Sequence, residues 1–214
     1  TTYTWNGGGA DGNWSNGANW GGTAPPSSLT DTLLTFAGST NLNTTIDSFP
    51  WASTFQVRGL TFANNTSSFL IDSTGATLEV GGDGIATSGG SVTHVISAPV
   101  RLGADQTWSS PFPTLLRITG PVDLGSHTLN ATGAWVEVAG VISGTGRLDP
   151  SRIILSAANT YSGGTLVDAG GWIQATSAAS FGSGLVDLRG NSTITITAAG
   201  DATLAGGLQV TNTN

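Results

Sequence analysis

The sequence predicts an all-β protein: a right-handed parallel β-helix (β-solenoid) with a Trp/Gly-rich N-terminal cap segment over residues 1–28 and one continuous domain of coils over residues 29–214. Three observations predict it. Short apolar strands alternate with Gly-rich corners, most plainly over Leu155–Gly170, LSAANTYSGGTLVDAG. One strand-corner-strand element recurs about every 20 residues, a spacing that fits a solenoid coil. No window carries the apolar period of a helix. The right hand follows from the general handedness of β-crossovers.

The elements follow in order. Thr1–Pro26 opens the chain with Trp5, Trp14 and Trp20 set among Gly and Asn. A solenoid end exposes its apolar interior and needs covering, so the three indoles are read as a cap. A sharper alternative makes them a platform whose exposed faces stack on sugar rings. Leu29–Phe36 is the first coil strand, followed by Thr45-Ile46-Asp47 and by Phe55–Phe62, whose alternation slips at Gly59 and marks a bulge or corner. Phe69-Leu70-Ile71 and Thr77–Val80 are further strands, with turns at Asn64-Asn65 and Ser73-Thr74-Gly75.

From His94 the repeat is clearest. His94–Leu102 (HVISAPVRL), Leu116–Leu124 (LRITGPVDL) and Trp135–Ile142 (WVEVAGVI) read as one element recurring. Pro99 and Pro121 fall at its corner, where a missing N–H breaks no ladder bond, and Gly103 and Gly125 align after it. Arg152-Ile153-Ile154-Leu155 and Thr165–Ala169 are strands on either side of the Asn159–Gly164 turn. Gly184–Arg189 and Ser192–Thr197 follow, the latter placing Ile on one face and Thr on the other. Leu204 and Leu208–Val210 close the chain. Ile, Val and Leu are expected to stack inward, with Thr, Ser and Asn outward.

The stretch Asn159-Thr160-Tyr161-Ser162-Gly163-Gly164-Thr165, preceded by Val141–Leu148 (VISGTGRL), closely resembles the autotransporter-associated β-strand repeat, also called the passenger-associated transport repeat. The resemblance continues through Ala175–Val186, and the Trp/Gly/Asn-rich opening is similar to segments that precede such repeats. The chain departs from the family at Asp149-Pro150-Ser151-Arg152, where a further Gly-rich strand is usual. The resemblance implies a right-handed β-helix exported to the bacterial surface, with Asn159, Thr160, Tyr161, Gly163 and Gly164 as motif residues. Within such a family the indole cluster is expected to start the helix.

Composition narrows the function. The chain has 214 residues, 32 glycines, no cysteine, no methionine and no lysine. Only 9% of residues are charged, against a typical ~25%, yet 38% are hydrophobic, which argues against disorder. A net charge of −7 and six scattered arginines disfavour nucleic acid and anionic membrane surfaces as partners. No apolar run approaches the ~20 residues of a membrane-crossing helix. The chain opens abruptly at Thr1 without a visible signal peptide, as a mature terminus after cleavage or an artificial boundary. Absence of cysteine fits export through an oxidising compartment.

Catalysis needs a constellation, and the sequence offers none. GxSxG is missing, and without lysine or cysteine there is no P-loop, Schiff base or thiolate. His94 and His127 stand apart without metal-ligand spacing. Asp105, Asp123 and Asp149 lie in nearby coils, where a polysaccharide-cleaving β-helix would mount a carboxylate pair, but Asp105 follows Gly103 while Asp123 precedes Gly125, so they are out of register. Asp83 in GGDG is an isolated glycine-rich acid rather than a calcium repeat.

The expected function is therefore non-enzymatic and needs no cofactor or metal: a secreted, extracellular bacterial surface β-helix acting as a stalk or adhesin scaffold. One alternative is a complete subunit of an extracellular filament, joining itself head-to-tail through open coil ends. The other is a carbohydrate-binding or polysaccharide-degrading module, with surface glycans as partners.

Overall fold

A computed structural model describes residues 1–47, 53–63, 66–133, 135–198 and 202–211. The expected Asn64-Asn65 turn lies outside them. The chain folds as a β-solenoid of about 8 turns, almost without helix, in which successive coils pair through parallel strands.

The cap segment holds β1 (Thr2–Trp5) and a 3-10 turn at Gly17–Trp20. The next three coils each combine a long and a short strand: β2 (Ser28–Phe36) with β3 (Asn43–Ile46), β4 (Thr54–Phe62) with β5 (Leu70–Ser73), and β6 (Thr77–Thr87) with β7 (Thr93–Ile96). The long strand then divides in two. The following coils are β8 (Val100–Leu102), β9 (Gln106–Ser110) and β10 (Leu115–Ile118), then β11 (Val122–Asp123), β12 (Thr128–Gly133) and β13 (Val136–Val138), then β14 (Ile142–Ser143), β15 (Arg147–Leu148) and β16 (Arg152–Leu155). The last coils revert to two strands, β17 (Thr165–Val167) with β18 (Trp172–Ala175) and β19 (Val186–Arg189) with β20 (Thr193–Ile196), before β21 (Leu208–Thr211).

Thirteen strands form one long sheet, branching where β8, β11 and β14 split off, and eight form the other, ordered β20-β18-β16-β13-β10-β7-β5-β3. The slip at Gly59 is a register shift between Val57 and Gly59 on β4. Leu116 pairs with both His94 and Val136, so in the third repeat Val136, rather than Trp135, is the residue in phase.

Alternation along each short strand turns every second residue inward. Because the coils stay in register, those residues line up as columns. One runs Thr44, Ile71, Ile96, Ile118, Val138, Leu155, Ala175 and Ile196. A neighbouring column runs His94, Leu116, Val136 and, after it, Ile153, Ile173 and Ile194. Full burial of each aliphatic side chain contributes about 1.5–3 kcal/mol. The first coils use rings instead. Phe36 packs on Phe62 at 5.4 Å, and Phe62 stacks on the His94 imidazole at 4.4 Å.

Where the second sheet turns its corner, side-chain hydroxyls close the coil-to-coil spacing. Ser97 donates to Ile71 O at 3.2 Å, Thr119 to Ile96 O at 3.4 Å and Thr197 to Ala175 O at 3.3 Å. This is why the outward composition is Ser and Thr rather than charge. Pro99 and Pro121 sit at the same corner, two residues after Ser97 and Thr119, and the next residue in that position is Val141. Their carbonyls accept from Leu78, Val100 and Val122 at 2.8, 2.9 and 2.9 Å.

Candidate functional site

Three residue sets deserve testing as a site: the opening tryptophans, the Asn159–Gly164 motif and the outward charges. The tryptophans are interior. Trp5 and Trp14 are fully buried and Trp20 is 6% exposed. Trp5 meets Trp20 edge-on at 4.9 Å, Trp14 meets Trp20 at 5.8 Å, and Trp14 meets Phe55 at 5.3 Å. Trp14 Nε1 donates to Thr44 Oγ1 at 3.0 Å and Trp20 Nε1 to the Trp14 carbonyl at 2.9 Å. Trp5 Nε1 is buried without an acceptor among the described residues. The sugar-platform alternative for these residues is thereby corrected: stacking needs an open ring face, and the apolar drive to fill the coil end has buried all three.

The Asn/Gly setting of the indoles is polar scaffolding for the same cluster. Buried Asn19 donates through Nδ2 to Asp11 O and Asn13 O, both at 3.0 Å, and accepts from Gly9 N at 2.9 Å. The Asn16 side chain caps the 3-10 turn by accepting from Ala18 N at 3.1 Å. Hydrogen bonds from the Asn16 side chain and the Asn13 backbone hold the Asp11 carboxyl below the usual carboxylate range. Ser15 donates to Asp47 through both its backbone N–H and its hydroxyl, tying the segment to the following coil.

The motif is a corner joining three coils. Asn159 Oδ1 accepts from Ile142 N of the preceding coil at 2.8 Å, and Nδ2 donates to Ser180 O of the following one at 2.6 Å. Thr160 N donates to Ile142 O at 2.8 Å, while its side chain is exposed. Tyr161 is fully buried with its hydroxyl 2.6 Å from Thr165 Oγ1, and burial pushes that phenol far above its ordinary pKa. Gly163 donates to Gly146 O at 3.2 Å. Gly164 has φ +86°, and a Cβ there would sit 2.6 Å from Leu185 O; only glycine fits such a position without strain.

The three aspartates do not converge. Asp123 faces Arg101 at 3.4 Å, Asp149 faces Arg147 at 3.3 Å, and Asp105 lies 3.6 Å from His127 Nδ1. Asp83 pairs with Arg58 at 2.9 Å. His94 is fully buried and accepts from Phe69 N at 3.2 Å, which makes it a core residue. Among the described residues no group of three or more His, Cys, Asp or Glu side chains is placed to hold a metal ion.

Register also creates something the linear chain conceals. On the outer face of the second sheet, the Arg152 guanidinium lies between two indoles, 4.7 Å from the Trp172 ring and 5.5 Å from the Trp135 ring. Arg152 pairs directly with Trp172 across β16 and β18. Beside this column is a groove of about 290 Å³ lined by residues including Asn130, Thr132, Asp149, Ser151 and Asp168. Burial raises the Asp149 carboxyl above its ordinary pKa, against the pull of Arg147 and with a further push from Asp168. Sequence reasoning missed Trp135, Arg152 and Trp172 as a group. Their signal was the coil spacing itself, which puts each one residue ahead of an inward Val136, Ile153 or Ile173.

No known family model matches the chain, and neither a curated protein nor a solved structure matches it.

Proposed function

We propose that this chain is a non-enzymatic segment of a secreted bacterial surface protein, a rigid passenger-like stalk of the autotransporter-associated repeat type. The observation that carries this reading is the role of Asn159–Gly164. Its buried polar groups bond to the coils before and after it, so the residues that resemble the family motif serve coil stacking. The neutral Ser/Thr corners fit the same role, because they stiffen the stack without a ligand. The test is to express the chain with its natural flanking sequence in an outer-membrane host and label it with antibody. Labelling of intact cells supports the reading; labelling only after lysis overturns it.

A second reading, a filament subunit that joins end to end, is favoured by one observation. β20 and β21 are the last strands of their sheets among the described residues, and β21 presents Leu208 and Val210 at 53% and 65% exposure. An exposed apolar strand can pair with a further strand, supplied by a second copy or by the continuing chain. Negative-stain electron microscopy of the purified protein decides it: uniform fibres one coil wide support assembly, and isolated short rods overturn it.

A further inference from the structure

His94 is fully buried at an inward position of β7. Its register neighbour in the following coil is Leu116. The Phe62 ring stacks on the imidazole at 4.4 Å with the two planes 11° apart, and the Phe69 ring lies 6.1 Å away. His94 Nδ1 accepts from Phe69 N at 3.2 Å, while the Phe69 carbonyl accepts from Val95 N at 2.8 Å. Phe69 is thus pinned to β7 by both of its backbone groups, and one of the two pins requires an Nδ1 without a proton.

Protonating that ring has two costs. Nδ1 becomes a donor facing a donor, and a positive charge enters an apolar interior. The attraction of a cation to a phenyl face is smaller than the cost of taking a charge out of water. The charged residues of the strands packed around β7 stand on the outer face, engaged there. Arg58 on β4 pairs with Asp83 on β6, Glu79 on β6 faces Arg101, Arg117 on β10 pairs with Glu137, and Asp72 on β5 accepts from Ser73 N at 2.8 Å. The effect reaches beyond one coil. Phe62 and Phe69 each meet Phe36 at 5.4 Å, and Phe36 meets Trp5, Trp14 and Trp20 at 6.1, 5.7 and 5.8 Å. The imidazole therefore ends an aromatic chain that starts in the cap, and Leu116 beyond it starts the aliphatic column.

We propose that His94 is an acid-operated switch: while neutral it locks the aromatic coils onto the aliphatic ones, and its protonation releases Phe69 and loosens the cap-bearing end. The device is independent of whether the solenoid serves as stalk or filament. Its direction follows from burial, which favours the neutral ring. The folded state then binds the proton less readily than the unfolded chain, whose histidine titrates near ~6.5. Stability is full above about pH 7 and falls below ~6.5, by up to about tenfold in the unfolding constant per pH unit and roughly thirtyfold by pH 5.

The experiment is a urea unfolding series on the whole chain from about pH 5 to about pH 7.5, for the parent, His94→Asn and His127→Gln, with NMR of both imidazoles in the parent. His94→Asn keeps an acceptor near the Nδ1 position and cannot titrate, so it should lose the fall in stability below ~6.5, whatever its absolute stability. His127→Gln, at the surface beside Asp105, should keep it. In the folded parent the His94 ring should stay neutral as the pH is lowered, and the Phe69 amide should lose exchange protection before the Leu116 amide does. The same pH dependence in the parent and in His94→Asn, its loss in His127→Gln instead, or a His94 ring that titrates near ~6.5 with the folded spectrum intact would each overturn the proposal. If His94→Asn does not fold at neutral pH, the imidazole titration of the parent decides.

Discussion

At one end of the solenoid Trp5, Trp14 and Trp20 fill the coil interior, none more than 6% exposed; at the other, Leu208 and Val210 stand more than half exposed. The last two strands of the second sheet have similar inward residues. Ile173 on β18 is fully buried, yet Ile194, its register partner on β20, is only partly covered. The sequence of a rung does not set its own burial. The next rung does, so each coil is stabilised mainly through its neighbours.

The largest effect that would break this contrast is loss of the cap. Trp14→Ala should destabilise the fold by about 3–5 kcal/mol, the range for emptying a large buried aromatic site, read as a lowered denaturant midpoint. A change below 1 kcal/mol would mean that the covered end matters no more than the open one. The contrast is sharpened by one residue type at two places. Ile153→Ala, in the fully buried column, should cost about 2–5 kcal/mol, and Ile196→Ala, near the open end, less than half as much. Equal losses would refute the dependence of burial on neighbours.

Asp149 tests the same dependence with charge, because neighbouring coils supply the burial that raises its carboxyl pKa. A folded pKa above the unfolded one means that the folded state keeps the proton longer. Stability then falls as pH rises from the unfolded value, about 3.9 for an aspartate, through the folded one, and is level above it. Asp149→Asn should therefore melt higher than the parent at pH 7, and the difference should vanish near pH 3. A constant difference across that range would contradict the burial account. The smallest effect belongs to the open edge: Val210→Ser should shift stability by no more than about 0.5 kcal/mol, measurable in the same denaturation series.

Much of the fold was legible because alternation is local. The Ile/Thr alternation of Ser192–Thr197, the slip at Gly59 and the proline corners each need only a few neighbouring residues to be read. β9 and β12 were not, because Gln106, Ser110 and Asn130 look like loop residues. Inside, Gln106 donates to Val80 O at 2.7 Å and accepts from Trp108 Nε1 at 2.9 Å, so a polar strand is satisfied within the stack. β6 ran on to Thr87 through glycines that read as a break. Gly84, at φ +65°, bends the strand where a Cβ would fall 2.1 Å from Thr107 O. The opening tryptophans, read first as a cap and second as a sugar platform, are buried, which fits the first reading. Those of the cap sit among Gly and Asn and look exposed, whereas Trp135 and Trp172 meet Arg152 only once the coils are laid in register.

That register also determines how the molecule would answer a pull along its long axis. Backbone hydrogen bonds between parallel coils point along the axis, so tension opens one rung at a time instead of shearing the whole sheet. Each released coil, such as the 20 residues from Leu116 to Val136, would lengthen the tether by roughly 70 Å at ~3.3–3.6 Å per residue. Under load the protein would extend in discrete, nearly equal steps, giving up its length piecemeal while the remaining coils stay intact.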